Sequence, residues 1–165
     1  MCWIVNKINF IEKPNEFHKT ATEDIVVYKF GYVKDEKFYP FVKKDFFYKP
    51  NIINEEIKLV LIDYLYNNYY WYRMNKMMIE EGYHSYNNRG ICSLFSRDYI
   101  SDYASASHFG KFIIPKGTEY YENKQGEIVS TQLLWTGSYI CNISLSLKQF
   151  LKLKYWKNVL ENKTM

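Results

Sequence analysis

The chain has 165 residues, of which 47% are hydrophobic, 24% charged and 19% aromatic, with 17 Tyr and 11 Phe. That length suits one domain whose core needs no disulfide or metal staple. The net charge of +4, from 22 basic against 18 acidic residues, supports a mild preference for anions. With only Arg73, Arg89 and Arg97 as arginines, it speaks against a dedicated DNA reader, which grips phosphate and guanine bidentately.

Residues 1–23 read as a loose entry segment around Pro14. It opens Met1-Cys2-Trp3-Ile4-Val5-Asn6-Lys7 and turns polar too early for a secretory signal. Residues 24–33, from Asp24 to Val33, are β-branched and aromatic and predict a strand. Residues 36–49 look extended, and Pro40 assigns them to an edge or a loop. Asn54 followed by Glu55 and Glu56 resembles a helix start, so 54–79 is expected as a helix or a mixed segment. Its apolar run Leu59-Val60-Leu61-Ile62 nevertheless lacks clean helical spacing. A short strand is expected over 81–86 and a helix over 93–105. Phe109 to Ile114 predict a strand that stops at the turn Pro115-Lys116-Gly117-Thr118. Residues 119–122 and 127–135 predict a hairpin around Asn123-Lys124-Gln125-Gly126. Tyr139, Cys141, Ile143 and Leu145 alternate as a further strand, and residues 146–161 carry Leu147, Phe150, Leu151 and Leu160 near helical spacing. The expected fold is a single α+β domain over 1–165. It has a mixed or mostly antiparallel sheet, a few helices and a C-terminal amphipathic helix.

The three cysteines, Cys2, Cys92 and Cys141, are odd in number and far apart, which argues for a reducing, cytoplasmic compartment and against a disulfide framework. No apolar run approaches the roughly 18 residues of a membrane span. His18, His84 and His108 are scattered with no metal-ligand spacing, and the common glycine-rich phosphate cradles are missing.

Glu81-Gly82-Tyr83-His84-Ser85-Tyr86 is the sharpest local feature. A glycine lets the backbone approach a ligand, and on a strand His84 and Tyr86 face one side while Tyr83 and Ser85 face the other. The competing reading is a strand end with a structural histidine. Glu127 opens a strand, where a carboxylate suits a ribose hydroxyl or a cationic sugar centre, or is simply the exposed first residue of a hairpin arm. Cys2 would become an N-terminal nucleophile if Met1 were removed; a buried or inert thiol is the alternative. Lys116 and Gly117, with Gly90, offer a charge and backbone amides to a phosphate. Tyr69-Tyr70-Trp71-Tyr72 beside Arg73 and Lys76 reads as core, or as a stacking surface for single-stranded nucleic acid.

Three stretches, Glu81 to Tyr86, Ile113 to Tyr121 and Gly126 to Ser130, together resemble a family of short uncharacterised proteins of Bacteroidetes and their phages. The family also tends to begin Met-Cys and to carry an early motif like Glu23 to Lys29. The order of an early strand, a middle polar strand and a late glutamate is more distantly similar to ADP-ribosyltransferase-like folds. This chain departs from them by having Tyr28-Lys29 where those folds want arginine or histidine. The resemblances imply a small protein that binds a nucleotide-like ligand, phage-encoded and sequestering a host signalling nucleotide. His84, Tyr86 and Glu127 would contact ribose or base, and Lys29 and Lys116 phosphate. The alternatives are a transferase using NAD, with His84 and Glu127 as its catalytic candidates, and a structural or protein-interaction module with a host protein partner.

Overall fold

The computed structural model describes residues 3–40, 45–67, 73–90, 92 and 108–141. Among these residues the chain is mainly β. In chain order they form β1 (Trp3–Asn6), α1 (Lys7–Glu12), a 3-10 turn (Pro14–Glu16), β2 (His18–Thr20), β3 (Ile25–Lys34), β4 (Lys37–Pro40), β5 (Leu61–Asn67), β6 (Arg73–Ile79), β7 (Tyr83–Tyr86), β8 (His108–Ile114), β9 (Glu119–Glu122), β10 (Glu127–Ser130) and β11 (Leu134–Cys141).

The longest strand, β3, organises the larger sheet. Its β-branched and aromatic residues suit a pleated, half-buried surface, and it pairs antiparallel with β8 from Ile25↔Ile114 to Gly31↔His108. Asp35 and Glu36, both at positive φ (53° and 58°), turn β3 back into β4, as a tight two-residue hairpin requires. The sheet runs in the order β11-β8-β3-β7-β10-β9-β2, with β4 attached to β3.

Chain length forces this sheet to curl. Ser130 ends β10 and Leu134 begins β11, and four residues span at most roughly 14 Å. In a flat sheet the two strands, separated by β7, β3 and β8, would stand about 19 Å apart at ~4.8 Å per strand. Curling also explains how Trp135 of β11 and Tyr120 of β9 share one core cluster with Val27, Phe38, Tyr48, Tyr83, Phe112 and Ile128.

A second, three-stranded antiparallel sheet, β1-β6-β5, packs on the outside of the first. Its rungs Trp3↔Ile79↔Leu61 and Val5↔Met77↔Asp63 turn Trp3, Val5 and Ile79 inward against Phe17, Tyr121 and Val129. The Trp3 indole Nε1 donates to the Glu127 carbonyl at 3.1 Å, locking the two layers together.

Three expectations are corrected. The fold is mainly β rather than α+β: its described α-helix is α1, six residues long, with the Asn6 side chain accepting from the Asn9 amide at its start. Beyond it only Arg89, Gly90 and Cys92 are α-helical among the described residues. The entry segment is not loose, because Trp3 and Val5 alternate onto the core and recruit β1 into the second sheet. The segment 54–79 contains β5 and β6 instead of a helix. The reason is a period of two: Leu59 and Leu61 pack inward while Val60 and Ile62 are exposed. The short strand expected over 81–86 forms as Tyr83–Tyr86, and the strand before Pro115 forms as expected. The hairpin about 123–126 forms, but its second arm, expected to run to Trp135, ends at Ser130; Leu134 and Trp135 belong to β11, which pairs with β8. Pro40 sits at the end of β4, outside the main strand order, where its missing N–H is tolerated. The helices expected over 93–105 and 146–161, and Ile143 and Leu145 of the last strand, lie outside the described residues. No helix among the described residues is long and apolar enough to cross a membrane.

His108 adds a pH dependence. Its Nδ1 accepts the Val33 amide at 3.1 Å, and burial lowers its pKa below the ordinary histidine value. The unfolded chain therefore takes up this proton first. The contribution is fully present above pH ~6.5 and is lost as pH falls through the histidine range. Thermal unfolding is expected to lose stability between pH ~8 and ~5 more steeply in the native chain than in His108→Asn, whose amide oxygen can still accept from Val33. Equal slopes would show that this imidazole does not titrate on unfolding.

Candidate functional site

Register decides which of the sequence-predicted site residues meet. On β7 and β10, Glu127 pairs with Tyr86 and Val129 with His84. Residues opposite one another in an antiparallel pair point to the same side, and sides alternate along each strand. His84, Tyr86, Glu127 and Val129 therefore share the outer face, while Tyr83, Ser85, Ile128 and Ser130 point to the enclosed one. The imidazole and the carboxylate are diagonal neighbours, with Cα atoms about 7–8 Å apart in such geometry, and both residues are half-buried. The His84 Nε2 lies 3.2 Å from the Glu80 carbonyl. Tyr86 is only 2% exposed and stacks against Phe30 with ring centres 6.1 Å apart, so it supports the face from within.

The two lysines fall elsewhere. Lys29 shares the inward parity of Val27 on β3 and is 9% exposed. Its ammonium donates to the His84 carbonyl and lies 5.7 Å from the Tyr48 ring, bracing β7 from beneath. Lys116 is exposed in the turn after β8, where its amide donates to the Asp24 carboxylate at 2.9 Å. It is separated from Glu127 by at least the length of β9, on the order of 10 Å. The structure thus brings the His84, Tyr86 and Glu127 side chains to one face, sets Lys29 against the opposite face through the His84 carbonyl, and leaves Lys116 apart from them.

Cys92 is fully buried and desolvation pushes its thiol far up, which makes it a poor nucleophile. Cys2 and the cluster Tyr69 to Tyr72 lie outside the described residues. Among the described residues no group of three His, Cys, Asp or Glu could hold a metal ion.

A polar hollow of about 250 Å³ opens where β7 and β9 end, β10 begins and the chain enters β2. It is built by two asparagine turns meeting at one end of the sheet. In the first, the Asn123 side-chain oxygen accepts the amides of Gln125 and Glu127 at 3.1 and 3.0 Å, and Gly126 takes a positive φ of 83° that a side chain would oppose. In the second, the Asn87 amide donates to the Gly126 carbonyl at 2.9 Å. The Asn87 side chain then donates to Glu122 at 2.8 Å, and Lys19 reaches the other Glu122 oxygen at 3.4 Å. Glu16 and Lys124 add a second charge of each sign, and buried Phe17 completes the wall. Because Glu122 pairs with Ile128, the hollow lies on the opposite side of β10 from the Glu127 side chain.

Chemically the hollow offers two ammonium groups, two carboxylates and two amides within one small space. The Lys19–Glu122 contact is long for a charge-assisted hydrogen bond, so an incoming anion can take the ammonium over without breaking a strong pair. Sequence reasoning missed Lys19, Asn87, Glu122 and Lys124. The signals available to it were the two turns Asn87-Asn88-Arg89-Gly90 and Asn123-Lys124-Gln125-Gly126, whose meeting depends on the pairing of β7 with β10. No protein-family model matches this chain, and neither a curated protein nor a solved structure matches it.

Proposed function

We propose that this chain is a small binding protein for a compact nucleotide-like anion, held in the hollow at the β7–β9–β10 end of the curled sheet. The observation that carries the reading is the gathering of Lys19, Lys124, Glu16 and Glu122 around Asn87 and Asn123 in one lining, with Lys19 reaching Glu122. The ammonium groups suit a phosphate, and the carboxylates and amides suit ribose hydroxyls and base edges. Size favours a mononucleotide over NAD: about 250 Å³ falls below the roughly 300–1,000 Å³ of pockets that enclose larger ligands. A binder of this kind acts by lowering the free concentration of its ligand, a host signalling nucleotide in the phage setting that the family resemblance implies.

Isothermal titration calorimetry with nucleoside monophosphates, cyclic nucleotides and NAD tests this. Saturable heat is expected with a mononucleotide, weakened at least about tenfold, or roughly 1.4 kcal/mol, in the Lys19→Glu, Lys124→Glu double variant. His84→Ala and Glu127→Gln, on the other side of the sheet, are expected to bind normally. Loss of binding in those two variants alone would move the site to the outer face, and no heat with any nucleotide removes the reading altogether.

A further inference from the structure

The outward face of the three-stranded sheet is apolar where a solvent-facing antiparallel sheet is ordinarily polar. Its central rung is Ile4↔Met78↔Ile62, with Ile4 37% and Ile62 39% exposed and Met78 half-buried. On the β5 side, Tyr64 (37%) extends the same surface along the strand and Val60 (54%) is exposed just before the strand begins. On β6 the outward positions flanking Met78 are Lys76 and, just past the strand end, Glu80.

This pattern is symmetric about the central rung. A two-fold axis laid along Ile4, Met78 and Ile62 brings each of them onto its own copy. It also turns the strands antiparallel across the contact, so Lys76 of one copy opposes Glu80 of the other, twice, and Tyr64 opposes Val60. Displacing the axis by two residues to Lys76 sets two ammonium groups against each other, and displacing it by two the other way to Glu80 sets two carboxylates against each other. Charge therefore selects the register as well as permitting the contact.

We infer that this face is an isologous interface at which two copies of the chain pack sheet to sheet, as a closed dimer requires. Facing sheets pack ~10 Å apart, which half-exposed isoleucine, methionine and tyrosine side chains fill. The patch is small. Three strands at ~4.8 Å by about five residues at ~3.4 Å cover a few hundred Å² per copy, well under the roughly 800 Å² per partner of a standard interface. The dimer is accordingly weak, with half-association on the order of 100 μM rather than nanomolar. The inference is independent of the hollow, which lies at the end of the other sheet.

Sedimentation equilibrium across concentrations from ~10 μM to ~1 mM, on the full chain, tests it. The expected result is an average mass rising from one chain toward two. Met78→Glu, which sets two carboxylates against each other on the axis, is expected to leave only the single-chain mass. Lys76→Glu alone is expected to weaken association at least about tenfold, and Lys76→Glu with Glu80→Lys to restore it, because the exchange preserves the pairing. Circular dichroism of each variant, unchanged, keeps a folding defect from imitating the result. A mass that stays at one chain throughout, association indifferent to Met78→Glu, or failure of the charge exchange to restore it overturns the inference.

Discussion

Replacing Phe38 with alanine is expected to lower stability by about 4 kcal/mol, within the ~3–5 kcal/mol range for a buried phenylalanine. The ring is 0% exposed and meets Phe112 edge-on at 5.0 Å, Trp135 at 5.7 Å and Tyr48 at 6.4 Å. The wall it lies against is made of two glycines. A Cβ on Gly110 would stand 2.7 Å from the Phe38 ring and one on Gly31 2.9 Å from it. With no side chains there to swing inward, the space left by the ring cannot close, and the cost of an unrelaxed cavity adds to the lost burial. Against a total of about 5–15 kcal/mol for a domain, that is a large fraction. The melting temperature should fall by roughly 8–16 °C at ~2–4 °C per kcal/mol. Phe38→Leu, which keeps most of the volume, should cost about 1–2 kcal/mol. Urea unfolding of both variants checks the pair, and a loss under ~2 kcal/mol for the alanine variant would mean that the ring is not clamped over the glycines.

That core was legible in the sequence only in part. Strands whose partners lie close along the chain announced themselves: β9 and β10 by the turn between them, β3 by its run of β-branched residues, and β8 by Pro115 behind it. Trp3 and Val5 did not, because a four-residue strand has no periodicity to speak of and its partner, β6, lies more than seventy residues away. The segment 54–79 misled for a related reason. Acidic residues after Asn54 imitate a helix start, and only the pairing of Leu61 with Ile79 and Ile62 with Met78 shows that the period is two. For the site, the alternation that places His84 and Tyr86 together is a local property of one strand and could be read directly. Lys29 shows the limit of such reading. Its inward parity follows from alternation, but which side is enclosed depends on the curl of the whole sheet. The hollow lay beyond reach for the same reason. Lys19 and Glu122 face each other across β2 and β9, about a hundred residues apart.

Asn123 joins that hollow to the rest of the fold, and its replacement by alanine is expected to cost about 3 kcal/mol. The residue is 6% exposed, and its side chain satisfies three backbone groups. Its oxygen accepts from the Gln125 and Glu127 amides, and its nitrogen donates to the Ile4 carbonyl at 3.2 Å. Alanine leaves all three without their partner, and each unsatisfied buried group costs ~1–3 kcal/mol, less where water reaches it. Aspartate separates the roles. It keeps both acceptor contacts of the turn but turns a negative oxygen toward the Ile4 carbonyl, so the β9–β10 turn survives while the tether to β1 is lost. Asn123→Asp should therefore cost less than Asn123→Ala at neutral pH. It should also recover stability on acidification as the carboxyl gains a proton and can donate to Ile4 again, a trend opposite in sign to the His108 effect. Chemical denaturation of the two variants at neutral and mildly acidic pH measures both predictions. Hydrogen exchange at the Gln125 and Glu127 amides, protected in the aspartate variant and fast in the alanine variant, would locate the difference in the turn. Equal losses in the two variants would mean that the bond to Ile4, and not the turn, holds the end of the sheet on which the hollow is built.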